Sequence, residues 1–383
     1  MENIIGPPVI GKNFQGRSAE MNEIWKIVNK SSILLNGPRR YGKTSITKEM
    51  ERRPKKGWRV FYFDLESINS PVDFILTITG RIGGSEKLRN KILQSLNIIR
   101  ESLEEIQVAE FKIKLRESIA KDWQHNGTKI FERLNESGKL ILILDEFPIM
   151  ISNFEQREGT DLVKGFLQWL RQIRNSYGVR FIICGSVSMR QIIRRCKASA
   201  YTNDLRLFNV DVFSRSIAYD ITKKLFKAYG IQCNDWHAEE IYNKMGIAVP
   251  YILQLLIQNI VHEMRENSVP LNETTINNAY EHRLLGTQGK FYFDYYFNKL
   301  DAHYEKEHLV VRRILNYICT HDNCSFEKIF NIYAVHMKKG DKQRFSDLME
   351  RLEDDFYIVR SNNGTFKFHN KVLQDVWSRK IGN

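Results

Sequence analysis

Short apolar runs alternate with amphipathic runs over the first 210 residues of the chain. The apolar runs predict β-strands over residues 32–36, 59–65, 140–144, 180–184 and 207–210. Four of the five consist largely of Val, Ile, Leu and Phe, which is typical of strands covered on both faces. The amphipathic runs predict helices, among them residues 18–29, 43–53 and 161–176. This alternation predicts an α/β core built on a parallel sheet.

The segment between the second and third predicted strands, residues 67–138, is long for a single crossover connection. Its amphipathic runs at residues 74–82, 87–103 and 119–134 predict two or three helices. Residues 110–115 alternate between polar and apolar side chains, which predicts an extra strand or hairpin. The insertion is as compatible with a partner-binding surface as with a structural cap.

The pattern becomes helical after the last of these strands. Helices are predicted over residues 216–229, 238–245, 250–263 and 273–282, which together have the size of a lid on the core. Pro250 stands in the first turn of its predicted helix, where its missing N–H costs little.

The C-terminal part of the chain combines helices with a hairpin. Helices are predicted over residues 309–320, 325–336, 341–354 and 371–380, and strands over residues 357–360 and 365–368. Three helices followed by a hairpin is the order of a winged helix-turn-helix. The predicted domains are a core at residues 1–213, a lid at residues 214–300 and a winged helix at residues 301–383.

The first predicted strand runs directly into a glycine-rich loop of the form G-x-x-x-x-G-K-[ST]. A loop between a strand and a helix N-terminus directs backbone N–H groups and the helix dipole at one point, where an anion is favoured. Lys43 is expected to reach the β- and γ-phosphates, and the Thr44 hydroxyl to hold Mg²⁺. The residues predicted to bind the nucleotide phosphates are Gly37, Pro38, Arg39, Arg40, Tyr41, Gly42, Lys43, Thr44 and Ser45.

A second motif follows about 100 residues later, where an apolar run ends in Asp145 and Glu146. A buried strand would deliver both acids at the sheet edge that also carries the phosphate loop. Asp145 is expected to anchor the Mg²⁺ shell, and Glu146 to orient and deprotonate the attacking water.

A third apolar run ends in Gly185 and Ser186. Ser186 is placed to sense the γ-phosphate or the attacking water. The same sequence is also expected if Ser186 only caps the N-terminus of the following helix.

Composition narrows the class of protein. The chain has 383 residues, of which 42% are hydrophobic and 27% charged, as in a soluble protein of two or three domains. No apolar run is long enough to span a bilayer and the N-terminus does not resemble a signal peptide, so a cytoplasmic location and no membrane partner are expected. The five cysteines form no C-x-x-C pair.

The net charge of +13 points to a polyanionic partner or ligand. Residues 1–65 hold thirteen Lys and Arg against six Asp and Glu, so part of the excess surrounds the phosphate loop. Arg52, Arg53, Lys55 and Lys56 exceed what a nucleotide requires, and form either a solvated helix end or a binding patch.

Several segments together resemble the AAA+-related prokaryotic ATPases, and more narrowly the archaeal-type ATPases near the STAND and origin-recognition groups. They are residues 14–20, the phosphate loop, the Asp145-Glu146 and Gly185-Ser186 strand ends, and residues 371–377. The resemblance covers nearly the whole chain, and it implies ATP or ADP with Mg²⁺ as the bound ligands.

The resemblance also implies roles for individual residues. Phe14, Gly16 and Arg17 would line the adenine pocket, and Ser186 would be sensor 1. Residues 245–251, which include Pro250, match the glycine-proline signature of the lid, and no sensor-2 arginine is apparent there. The candidates for an arginine finger, which would imply self-assembly, are Arg194, Arg195 and Arg206, and a solvated basic surface explains them equally well.

Two functions fit this sequence. The protein is either a nucleotide-dependent switch that recruits a protein effector, or an ATPase motor or loader that acts on DNA or a DNA-bound complex. The missing sensor-2 arginine favours the switch, and the net charge favours DNA.

Overall fold

The computed structural model describes the chain apart from residues 85, 99–107, 137, 186–188, 305–306, 323, 338–339 and 382–383. The described residues form two compact units. The sheet unit comprises Arg17–Arg39 and Lys43–Val210. The helical unit comprises Met1–Gly16, Arg40–Gly42 and Asp211–Asn383. The chain therefore passes from one unit to the other and back within the glycine-rich loop.

The sheet unit is built on five parallel strands in the order β2-β3-β4-β1-β5. They are β1 (Ile33–Asn36), β2 (Trp58–Asp64), β3 (Lys139–Asp145), β4 (Arg180–Cys184) and β5 (Arg206–Asn209). Residues 140–144 of β3, which lies between β2 and β4, are fully buried, as expected for a strand covered on both faces. The predicted parallel sheet is confirmed.

Helices connect the strands and cover the sheet. They are α1 (Ser18–Val28), α2 (Lys43–Arg52), α3 (Pro71–Ile82), α4 (Glu86–Ser95), α5 (Val108–Lys121), α6 (Trp123–Asn135), α7 (Phe147–Ser176) and α8 (Met189–Arg195). The backbone of α7 is interrupted at Gly159, whose φ of 83° is not helical. Phe166 of α7 packs edge-on against Phe74 and Phe154, with ring centroids 5.1 Å apart in both pairs.

Residues 110–115, predicted as a strand or hairpin, lie within helix α5, so that prediction is wrong. Phe111, Leu115 and Ile119 are buried at a spacing of four residues, whereas Ile113 is 60% exposed. The apparent alternation of this segment is therefore one apolar stripe of a helix plus a single exposed isoleucine.

Most of the helical unit is formed by the chain from Asp211 onward. Its helices are α9 (Arg215–Ala228), α10 (Asp235–Met245), α11 (Pro250–Asn267), α12 (Glu273–Asn278), α13 (Thr287–Tyr304), α14 (His308–Thr320), α15 (Phe326–Met337), α16 (Lys342–Asp354) and α17 (Lys371–Ile381). A π-helical turn follows α12 at Ala279–Leu284. An antiparallel hairpin, β6 (Ile358–Arg360) and β7 (Phe366–Phe368), separates α16 from α17.

The sequence analysis did not predict α13. The buried residues of this helix form one stripe, which consists of Tyr292, Phe293, Tyr296, Phe297, Leu300 and Tyr304, but Phe291 outside the stripe is also aromatic and is 90% exposed. An aromatic residue on the exposed face reduces the contrast between the two faces, which is the signal for a 3.6-residue period.

A buried ion pair fixes α13 within the helical unit. Lys299 Nζ donates to Asp355 Oδ1 at 2.7 Å, and Tyr304 Oη donates to Asp355 Oδ2 at 2.9 Å. The Lys299 and Asp355 side chains are 6% and 0% exposed. Among the described helices, none combines the length and apolarity needed to cross a membrane.

In a variant that lacks one member of this ion pair, the helical unit should unfold at a lower urea concentration. Asp355→Ala leaves the Lys299 ammonium buried without its carboxylate, at a cost of about 3–5 kcal/mol. Urea unfolding followed by tryptophan fluorescence measures the change. The matched control is Asp301→Ala, which breaks the exposed pair with Arg312 and should cost about 0.2–1 kcal/mol. Equal losses in the two variants would contradict this account of α13.

Candidate functional site

The glycine-rich loop leaves β1 and ends where α2 begins at Lys43. Gly37 has a φ of 149° and Gly42 a φ of 91°, backbone conformations that favour glycine. A Cβ at Gly37 would lie 2.8 Å from the carbonyl oxygen of Val210. The first glycine is therefore required both by its backbone angle and by the close approach of the chain that follows β5.

Lys43 is buried within this loop, with 7% of its surface exposed. Its Nζ donates to the carbonyl oxygens of Gly37 at 2.6 Å and Pro38 at 2.9 Å. A buried ammonium is costly unless such acceptors surround it. Phosphate oxygens are stronger, charged acceptors, so this cation is held where an incoming phosphate can replace the loop carbonyls.

The Asp145 carboxylate, 4% exposed at the end of β3, is the centre of the site. Its Oδ2 accepts hydrogen bonds from Thr44 Oγ1 and Tyr62 Oη, both at 2.8 Å. Its Oδ1 accepts from the Glu146 backbone N–H at 3.0 Å and from Cys184 Sγ at 3.3 Å. Strand β4 lies between β1 and β3, yet Thr44 at the start of α2 still reaches Asp145.

The groups around Asp145 are held in their neutral forms. Burial, and then the adjacent Asp145 charge, raise the pKa of the Tyr62 hydroxyl far above its usual range. The same two causes raise the pKa of the Cys184 thiol. Both side chains therefore remain protonated at neutral pH and act as donors to the carboxylate.

Glu146 follows directly, in a left-handed conformation with a φ of 52° at the start of α7. Left-handed backbone is uncommon for a residue with a side chain, and such strain is found at functional sites. A Cβ on Gly185, at the end of β4, would lie 2.5 Å from Pro148 Cδ and 3.4 Å from Glu146 Oε2. Gly185 thus leaves the space that Pro148 and the Glu146 carboxylate occupy.

The Thr44 and Asp145 side chains fit a divalent cation. Hydroxyl and carboxylate oxygens are the hard ligands that Mg²⁺ prefers, and these two lie 2.8 Å apart. Mg²⁺ is usually bound by one or two such protein groups together with phosphate oxygens and water.

The middle of the loop, residues 40–42, belongs to the helical unit. Tyr41 is 3% exposed, and its hydroxyl lies 3.4 Å from Nδ1 of His369, just after β7. Burial lowers the pKa of His369, and a neutral imidazole ring can accept a hydrogen bond from the Tyr41 hydroxyl. The Arg40 guanidinium lies 4.4 Å from the Tyr251 ring centroid and donates to the Gly6 carbonyl oxygen at 3.0 Å.

The remaining predicted nucleotide-binding residues are distributed over both units. In the helical unit, Phe14 ends a short 3-10 turn, Gly16 packs against Ile217, and Pro250 occupies the first turn of α11 as predicted. In the sheet unit, Arg17 is buried and donates to Glu20.

Arg39 is exposed and Ser45 half-buried. Ser186 lies outside the described residues. Of the arginine-finger candidates, Arg195 forms an ion pair with Glu155, and Arg206 is exposed on the edge strand β5.

Three residues of the site were not identified from the sequence: Tyr62, Cys184 and His369. Tyr62 and Cys184 stand inside apolar strands. The sequence signal that could have identified them is a side chain that can donate a hydrogen bond in an otherwise apolar run. His369 carries no comparable signal, because its partner Tyr41 is 328 positions away in the chain.

A parallel sheet with a phosphate loop after one strand and an acidic pair after another defines a P-loop ATPase. Residues 14–255 match the family described as ATPase domains predominantly from Archaea. The chain belongs to this family, which confirms the predicted archaeal-type ATPase and its ATP-hydrolysing activity.

The solved structures agree on the fold. A Walker-type ATPase of Pyrococcus abyssi superimposes with a TM-score of 0.66 at 17% identity, covering 99% of this chain and 100% of the other. The ORC2 protein of Aeropyrum pernix in its ADP form superimposes with a TM-score of 0.51 at 14% identity, covering 99% and 98%. No curated protein sequence matches this chain significantly.

The loop geometry can be tested at Gly37. Gly37→Ala places a methyl group against the Val210 carbonyl in an unfavourable backbone conformation, and should destabilise the protein by about 1–3 kcal/mol and weaken ATP binding. Gly80→Ala is the control, because its Cβ meets no atom within 4 Å in α3 and should stabilise by about 0.5–1 kcal/mol. Thermal unfolding and nucleotide titration measure both effects. ATP binding of normal strength in Gly37→Ala would contradict the assigned geometry.

Proposed function

We propose that this ATPase binds ATP with Mg²⁺ at residues 37–45, hydrolyses it, and uses the cycle as a conformational switch that recruits a protein effector. The observation that carries the proposal is the division of the phosphate loop. Residues 37–39 and 43–45 are part of the sheet unit, whereas residues 40–42 are part of the helical unit. A ligand that changes the loop conformation therefore acts on both units through the covalent chain.

Phosphate binding begins with Lys43. Its two hydrogen bonds to loop carbonyls are replaced by bonds to phosphate oxygens, and the loop is free to adjust around the ligand. Thr44 and Asp145 hold the Mg²⁺ ion, which neutralises phosphate charge when bound. The donors around Asp145 keep its carboxylate in one orientation for this role.

Glu146 acts on the water. Its carboxylate lies next to Gly185 at the end of β4, so it stands at the same sheet edge as Thr44 and Asp145. In this position it orients the attacking water and accepts its proton. Ser186, the next residue after Gly185, is proposed to sense the γ-phosphate.

The helical unit supplies the switch element. Tyr41 and Arg40 are held there by His369, Tyr251 and Gly6. Nucleotides that favour different loop conformations will favour these contacts to different degrees, which is the requirement for a ligand-driven population shift. We assign residues 214–300 to a lid and residues 301–383 to a winged helix that responds to this change.

The adenine base is assigned to the segment that includes Phe14, Gly16 and Arg17. Gly16 has a φ of 74°, and a Cβ there would lie 2.6 Å from Ile217. This fixed backbone next to a half-buried phenylalanine offers an apolar surface for a planar base.

Two substitutions separate binding from hydrolysis. Lys43→Ala should weaken ATP binding by about 10-fold to 100-fold, because charge-assisted hydrogen bonds to phosphate are lost. Glu146→Gln should preserve binding and lower kcat by about 10²–10⁴-fold, the usual contribution of a general base. Calorimetric titration and steady-state phosphate release measure the two quantities.

Lys26→Ala on the exposed face of α1 is the matched control and should change neither quantity. Retained ATP affinity in Lys43→Ala would contradict the phosphate-loop assignment. Unchanged turnover in Glu146→Gln would contradict only its role as base.

A second candidate function is action on DNA, which the net charge of +13 and the order of helices α14–α16 and hairpin β6–β7 favour. The exposed cations of α16 weaken this candidate. Lys342 pairs with Glu327 at 3.3 Å and Arg344 with Asp341 at 3.7 Å, so neighbouring acids offset their charge.

Turnover with and without DNA distinguishes the two functions. A switch should turn over slowly, carry ADP through purification, and respond little to double-stranded or single-stranded DNA. Strong stimulation that declines steeply with added salt would favour the DNA-associated motor, because phosphate contacts are salt-dependent.

A further inference from the structure

Tyr62 of β2 donates its hydroxyl proton to Asp145 Oδ2 at 2.8 Å. Tyr62 is in register with Ile143 of β3, so it is a diagonal neighbour of Asp145 on the adjacent strand. Thr44 Oγ1 donates to the same oxygen, also at 2.8 Å. One carboxylate oxygen therefore has two donors, one from the loop helix and one from the sheet.

We infer that Tyr62 is a positioning residue, which fixes the Asp145 carboxylate in the orientation that Mg²⁺ binding requires. This inference rests on the proposed magnesium role of Asp145. Thr44 and Asp145 would hold the cation in place of their mutual hydrogen bond, and Tyr62 would then remain as a side-chain donor to Oδ2.

The position of Tyr62 is itself fixed by α2 and α3. Its backbone N–H donates to Glu51 Oε1 at 2.9 Å, and Lys48 Nζ lies 4.9 Å from its ring centroid. Arg81 of α3 donates to the Tyr62 carbonyl oxygen and forms an ion pair with Glu51 at 2.6 Å. The helix that starts at Lys43 and Thr44 thus also supports the residue that orients Asp145.

The chemistry of a phenol suits this role. The Tyr62 hydroxyl has a single O–H, and this O–H is directed at Asp145 Oδ2. Oδ1 accepts from Cys184 Sγ at 3.3 Å and from the Glu146 backbone. A thiol is a weaker donor than a phenol, so Tyr62 provides the stronger side-chain constraint from the sheet.

The test uses the full chain with Tyr62→Phe, which removes one oxygen and keeps the ring that packs against Lys48. Binding of a fluorescent ADP analogue is titrated across Mg²⁺ concentrations and in EDTA. The Mg²⁺ concentration for half-maximal enhancement of binding should rise by about 10-fold to 100-fold, the usual effect of removing a group that orients a metal ligand. Affinity in EDTA should stay within about twofold, since the phosphate contacts of Lys43 are retained.

Three further variants make the result decisive. Tyr177→Phe removes a hydroxyl at the C-terminal end of α7, the end of this helix that is far from Asp145. It should change neither the Mg²⁺ requirement nor the affinity in EDTA. Cys184→Ala should shift the Mg²⁺ requirement less than Tyr62→Phe. A shift in Cys184→Ala as large as that in Tyr62→Phe, or a parallel loss of affinity in EDTA, would show a general structural effect and overturn the inference.

Asp145→Asn distinguishes failure of the inference from failure of its basis. If Asp145→Asn raises the Mg²⁺ requirement and Tyr62→Phe does not, Tyr62 has no positioning role and the proposed function stands. If Asp145→Asn leaves the Mg²⁺ requirement unchanged, the magnesium role of Asp145 is wrong and the inference fails with it.

Discussion

The need to satisfy one buried carboxylate determines how the sheet unit is assembled around its site. Asp145 is 4% exposed, and an ionised carboxylate at that depth is stable only with hydrogen-bond donors around it. Its donors come from α2, β2 and β4 as well as from its own backbone. Each of these elements has to be in place to satisfy Asp145, so this carboxylate links the helix α2 to the strands β2, β3 and β4.

The glycine-rich loop extends this constraint to the helical unit. Lys43 and Thr44 belong to the sheet unit. Tyr41 and Arg40 belong to the helical unit, where they contact the aromatic rings of His369 and Tyr251. Only a few backbone bonds separate these residues, so no flexible linker lies between them that could absorb a change in conformation at Lys43. In the proposed switch, a small adjustment at the loop would reach residues of both units through this short stretch of backbone.

The sequence predicted the five strands to within one residue at every boundary, because buried parallel strands are continuous apolar runs bounded by polar residues. The phosphate loop and Asp145 could be named as candidates from the sequence, since their motifs are local. Helix α13 was missed because the exposed Phe291 obscured its buried stripe, and residues 110–115 were misread because Ile113 produced an alternating pattern. Tyr62 could not be assigned, because its role depends on a register between strands that are about 80 residues apart.

Several basic residues near the loop contact other groups of the protein. Arg52 and Arg53 both pair with the buried Glu49, at 2.6 and 3.6 Å, and Lys55 lies over the Trp25 ring. Arg40 is likewise engaged by Tyr251 and a backbone carbonyl. Paired cations contribute less to the external field than their number implies, because neighbouring opposite charge cancels much of it beyond a Debye length of about 8–10 Å. Arg52 and Arg53 thus have an acidic partner within the protein, which favours a solvated helix end over a binding patch as the explanation of these two charges.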